Sequence, residues 1–132
     1  MNEQAAVERW LYSRLNAVHA STGGRVFADV APQGEELPAI VFQRQAGFDR
    51  PVFSGERIVD FTYIVRVIAE TESTQQLEAA AGAIDTALEQ VTGSEGGFTI
   101  GCVREAPFSL TEISDGVTYK HLGGSYRIRA QV

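Results

Sequence analysis

Few residues in this 132-residue chain are of a type that does chemistry, and none is set at a catalytic spacing. The two histidines, His19 and His121, lie far apart, and neither has a companion ligand at a zinc-type spacing. Both read as surface or helix-end histidines, with His19 placed to favour the carbonyl end of its helix. No Gly-x-Ser-x-Gly elbow exists, and Ser54-Gly55 and Gly93-Ser94 read as turns, so a nucleophilic triad has no anchor. The single Cys102 sits in the apolar-flanked run Phe98 to Val103 with Arg104 as the only nearby cation, which reads as a buried small hydrophobe. The three Gly-Gly pairs lack a P-loop lysine or a spaced Gly-x-Gly-x-x-Gly, so they punctuate turns and do not cradle phosphate. The expectation is no catalytic residue, no metal and no cofactor.

Two charged groups remain. Glu35-Glu36 sits in Ala31-Pro32-Gln33-Gly34-Glu35-Glu36-Leu37-Pro38, between an apolar run from Val26 and the restart Ala39-Ile40-Val41-Phe42. Prolines lack an N–H and push the preceding residue towards extended geometry, so Pro32 and Pro38 bracket a connection that projects from any sheet. Its carboxylates read as a solvated tip or, alternatively, as an acid/base or cation site that would need a burial or charge partner. Arg127 and Arg129, with Lys120 as a possible third member, form a basic stripe on the last strand, either solvated or pairing with Asp or Glu of a neighbouring subunit.

Bulk properties bound the class. The length fits one domain spanning residues 1–132 that buries a core without disulfides or metal. A 44% hydrophobic and 21% charged composition is ordinary for a globular protein, and no apolar run approaches a membrane span. Met1-Asn2-Glu3-Gln4 lacks the basic start of a secretion signal, so a cytoplasmic setting is expected. The net charge of −6 disfavours a general nucleic-acid binder, whose affinity comes from phosphate neutralisation.

The positioning elements follow from periodicity. Val7, Trp10, Leu11, Leu15 and Val18 stack on one face of a helix from about Gln4 to about Ala20, closed at Gly23-Gly24. A strand from Val26, the proline-bracketed loop, and a strand Ala39–Gln45 come next, then a loop from Gly47 to Gly55 that carries Asp49, Arg50 and Phe53. Phe61, Tyr63, Val65, Val67 and Ala69 alternate with Asp60, Thr62, Ile64, Arg66 and Ile68, so this strand has one apolar face and one mixed face that a neighbouring subunit could cover. Ser73 and Gln76 are spaced as a capping box for a second helix whose stripe is Leu77, Ala81, Ile84, Leu88 and Val91, closed by Gly93. Phe98–Glu112 and Val117–Val132 then form a hairpin across Ser114-Asp115-Gly116. Pro107 marks an edge or a bulge, and Gly123-Gly124 a bend. The fold class is α+β, a mainly antiparallel sheet of about four to five strands with two helices packed on one face.

This order of features resembles the tail-completion or tail-terminator family of long-tailed bacteriophages and related gene transfer particles. The residues that carry it are the helix ending near Thr22-Gly23, the Pro32-to-Pro38 loop with its following apolar strand, the Phe61-to-Ala69 strand, the Ala-rich second helix and the closing hairpin. The resemblance implies a structural, non-enzymatic virion protein in the tail-neck region, assembled in the host cytoplasm. It implies a homo-hexameric ring at the head-proximal end of the tail tube, which stops tube growth and meets tail tube and neck or head-completion proteins. DNA is then only passing cargo, no membrane is involved, and an acidic subunit suits the channel. An interface role is implied for Gln33, Gly34, Glu35 and Glu36, and a closed ring needs two different exposed faces, to which Asp49, Arg50, Arg127 and Arg129 are candidates. The alternatives are another neck or minor tail component, or a regulatory domain that binds a small ligand in an apolar pocket.

Overall fold

The computed structural model describes residues 2–132. Helix α1 spans Glu3–Leu15, opened by Asn2, whose side chain accepts from the Ala5 N–H at 2.8 Å. It buries Val7, Trp10, Leu11 and Leu15 as the spacing predicts, but it ends well before Ala20. After Asn16 the ladder is lost, with the Val18 N–H turning to the Leu15 carbonyl at 3.3 Å, and His19 Nδ1 accepts from the Ser21 N–H at 3.2 Å to start a separate 3-10 turn at Ala20–Thr22. A local side-chain bond of this kind competes with helix continuation. His19 therefore caps the start of a turn, not the carbonyl end of a helix.

Strands β1 (Val26–Ala28) and β2 (Ala39–Arg50) are parallel neighbours, with Val26 beside Ile40. A parallel partner cannot be reached by a tight turn, so residues 29–38 must travel back along the sheet end, which is what makes the proline-bracketed loop overhang. Strand β2 continues through Arg50, where a loop was expected, because residues 46–50 pair with residues 58–62 of β3 (Ile58–Glu70). Cross-strand pairing against an apolar partner overrides the weak strand preference of Gly47 and Asp49. The connecting loop is thus residues 51–57.

Ser73 caps a 3-10 turn by accepting from the Gln75 N–H at 3.2 Å, in place of the expected capping box with Gln76. Helix α2 (Glu78–Leu88) buries Ala80, Ile84 and Leu88. It stops before Val91 because Gln90 takes a φ of +55°, and Val91 instead opens β4 (Val91–Glu95). Gly93 lies within that strand, where a Cβ would sit 2.6 Å from the Trp10 Nε1 of α1. A Gly96-Gly97 turn with both φ positive leads to β5 (Phe98–Ser114), and Asp115-Gly116 leads in the same way to β6 (Val117–Gln131).

The sheet has six strands in the order β1-β2-β3-β6-β5-β4, antiparallel except for β1 with β2. The expectation of four to five strands missed β4, a short strand with three polar residues and a glycine. Both helices pack on one face, over the odd-numbered residues of β3 and their neighbours on β6. Two buried tyrosines tie them down. Tyr63 Oη donates to Glu8 of α1 at 2.8 Å and Tyr126 Oη to Asp85 of α2 at 3.0 Å. Burial and these carboxylates push both phenols well above their ordinary pKa, so they remain donors. Cys102 is buried, and burial raises its thiol to about 12. No helix among the described residues is long and apolar enough to cross a membrane.

Gly123 marks the tightest approach in the sheet: a Cβ there would lie 2.0 Å from the Val65 carbonyl oxygen and 2.7 Å from the Arg66 Cα. Neither backbone atom can swing aside. Gly123→Ala is therefore expected to cost about 3 kcal/mol through overpacking, read as a fall in the urea midpoint. An unchanged midpoint would show that the strands separate more freely than this geometry allows.

Candidate interaction surface

The even-numbered residues of β3 point away from the helices, and among the described residues no helix packs over them. At one end of this open face lies Asp60, only 6% exposed. Arg129 of β6 donates to it at 2.8 Å from Nε, and Arg50 of β2 donates from the other side. The two guanidiniums, Arg129 first, hold the Asp60 carboxyl below the usual carboxylate range. Beside them Arg127 pairs with Glu105 of β5 at 2.8 Å. The basic stripe is thus already matched to acids of its own chain. Lys120 is not part of it, since strand alternation puts its side chain on the opposite face to Arg127 and Arg129.

At the other end His121 is buried to 5% exposure, a correction to its reading as a surface residue. Arg66 Nε, which can only donate, is 3.1 Å from its Nδ1, so Nδ1 accepts and Nε2–H faces Glu112 Oε1 at 3.2 Å. Burial lowers the His121 pKa, and the Arg66 charge adds to this against the opposing pull of Glu112. The Arg66 guanidinium also lies 5.9 Å from the Phe108 ring centroid.

A cavity of about 880 Å³ opens between this cluster and the proline-bracketed loop. Gln33, Gly34 and Glu35 line it, facing Val41, Ile68 and Leu110. The loop is a built element. The Glu35 N–H donates to the Pro32 carbonyl at 3.1 Å around Gly34 at a φ of +82°, and Arg25 holds the return by donating to the Pro38 carbonyl at 3.1 Å. Glu36 points instead towards Arg25, 3.7 Å away. Of the candidates, Arg50 and Arg129 meet at Asp60, Arg127 lies beside them, and residues 33–36 sit at the far end of β3. Asp49 is exposed on the β2 edge and was not brought to Asp60.

Sequence reasoning missed the two clusters of the open face, Asp60 with its arginines at one end and His121 with Arg66 and Glu112 at the other. Only the alternation of β3 could have signalled it, by placing two charged residues on the mixed face of a central strand. Among the described residues there is no cluster that could hold a metal and no buried side-chain polar atom without a hydrogen bond. Exposed apolar side chains stand beside these groups on the same face, Phe48 at 64% exposure opposite Asp60 and Leu110 at 48% opposite His121, and Ile113 at 71% lies on the hairpin arm. This arrangement suits contact with other proteins, because its ionic groups are paired and its apolar groups are bare.

A family model described as Tail completion protein gp17 matches residues 9–129. A chain in the virion of a native gene transfer agent particle superposes with a TM-score of 0.74 at 16% identity, over 98% of this chain and 97% of that one. A second solved structure superposes with a TM-score of 0.66 at 15% identity, over 100% of this chain and 98% of that one. No curated protein matches the chain in sequence.

The two open-face clusters yield two expectations. As pH falls below about 6.5, unfolded chains protonate His121 before folded ones, so stability should decline with falling pH until the lowered folded pKa is passed. His121→Gln should flatten that part of the profile in denaturant titrations, and an identical slope in the variant would assign the decline to other groups. Asp60→Ala leaves two arginines facing each other, and because both are half exposed the cost should be about 1–2 kcal/mol. Equal stability at neutral pH would show that solvent replaces the carboxylate at no cost.

Proposed function

This chain belongs to the Tail completion protein gp17 family, and from that premise we propose that the tail component it forms is a six-membered ring at the head-proximal end of the tail tube. The ring ends tube growth and presents a surface to the neck proteins. The observation that carries this reading is the uncovered sheet face with its bare apolar edges. A closed ring repeats one heterologous contact, so each copy must show two different patches. The edge beyond β2 and the hairpin arm of β5 and β6 are such a pair, and the loop of Gln33, Gly34, Glu35 and Glu36 projects at the end nearest the arm.

The same geometry weighs against a small-ligand site. The cavity under the loop contains polar groups, but Arg66, His121 and Glu112 are already bonded to one another, and Asp29, Glu35 and Glu70 also stand around it. A ligand pocket uses convergent polar groups that await a partner. Acidic walls with a −6 net charge also suit a subunit that passing DNA must not adhere to.

Adding the purified chain to polymerising tail tube subunits should cap the tubes and shorten their mean length in electron micrographs as the ratio rises. Tubes of unchanged length with no density at one end would exclude the terminator role and favour another neck or minor tail position.

A further inference from the structure

We propose that Ala46–Arg50 of β2 in one copy pairs antiparallel with Phe108–Glu112 of β5 in the next, so that the six-stranded sheet continues across the contact; this rests on the ring reading above.

Both edges are uncovered, but on opposite halves. Strand β1 covers β2 only at Ile40–Phe42, and β4 covers β5 only at Val91 to Glu95 against Phe98 to Cys102. Among the described residues, no strand flanks residues 46–50 of β2 or 108–114 of β5 on the outer side. Backbone N–H and C=O groups on such an edge are a template for another strand. Since β2 opposes β3, β3 opposes β6 and β6 opposes β5, a β2 laid beside a β5 in one continuous sheet runs antiparallel to it. The neighbour must be staggered along the strand direction. That stagger keeps its β1 clear of the hairpin tip and keeps β4 clear of its residues 46–50.

Irregularities bound the regular stretches. Ladder shifts fall at Arg44/Ala46 and at Arg104/Ala106, and Pro107 follows the second, so uninterrupted pairing is available only from Ala46 and from Phe108. Side-chain parity then selects a register. Ala46, Phe48 and Arg50 share the open face with Phe108, Leu110 and Glu112. Setting Phe48 opposite Leu110 joins two exposed apolar side chains and puts Arg50 opposite Phe108, as Arg66 already lies over that ring within the chain. Sliding by two residues one way sets Asp49 against Pro107, and the other way sets Phe48 against Glu112. A slip by one residue turns the apolar side chains to opposite faces. The contact uses different edges on each copy, so it repeats head to tail and closes if the rotation permits.

The test is a Phe48→Cys, Leu110→Cys double variant, oxidised in solution and on tail tubes, with each single variant as the control for the buried native Cys102. Disulfide-linked species of up to six copies in the double variant alone are expected. Phe48→Asp and Leu110→Asp, both at exposed positions, should each raise the self-dissociation constant about tenfold or more with the thermal melt of the monomer unchanged. Rings that form without the cross-link and tolerate both aspartates overturn the pairing and leave the ring reading intact. A wild-type chain that is monomeric in solution and absent from tube ends overturns both. Cross-linking of the Phe48→Cys single variant to a tube or neck subunit would assign this edge to that partner and overturn the pairing of copies.

Discussion

A strand side chain can point only to one face or the other, and β3 lies where both faces matter. Its odd residues, Val59 to Ala69, form the floor on which both helices pack, and its even residues have no helix to meet. Each feature of the open face follows from that division. Asp60 is there because Val59 and Phe61 are in the core, and Arg66 because Val65 and Val67 are. The hydrophobic area that stabilises the fold is therefore collected on one side, and the other side is left without a helix over it.

The charged groups on that side are arranged to need little from a partner. An unpaired ion on a surface that becomes buried costs several kcal/mol of desolvation, whereas Asp60 already holds Arg50 and Arg129, and Glu105 holds Arg127. Such a face can be covered by protein without stranding charge. The apolar groups that would drive the covering stand next to the charged ones, Phe48 opposite Asp60 at the edge of β2 and Leu110 opposite His121 on the arm beyond β4. The two bare apolar side chains thus lie on opposite edges of the sheet, each beside charge that is already neutralised within the chain.

The helix side is fixed by two tyrosine–carboxylate bonds, one for each helix. Tyr63 and Tyr126 sit on adjacent strands in direct register, and each sends its hydroxyl past the apolar layer to a carboxylate on the helix above. A buried phenol must be satisfied, so these bonds set how far the helices can slide over the sheet. With the sheet so braced, the shape of its free edges is a property of the monomer, present before any partner arrives.

Periodicity in the chain was enough to declare two helices, the alternation of β3, the Asp115-Gly116 hairpin, the burial of Cys102 and the irregularity at Pro107, because each depends on residues close in sequence. The resemblance to tail-completion proteins was also legible in the order of these elements. What tertiary structure alone decided was long-range: that β1 joins β2 in parallel, that β2 runs on to Arg50 and so carries Asp49 and Arg50 out of a loop, and that Val91 leaves the helix stripe for a strand. It alone brought Arg50 and Arg129 to Asp60, and Arg66 and Glu112 to His121, across gaps no local spacing reports. Local patterns record which face a residue prefers. Partners distant in the chain are chosen by strand pairing, whose energy comes from the assembled sheet.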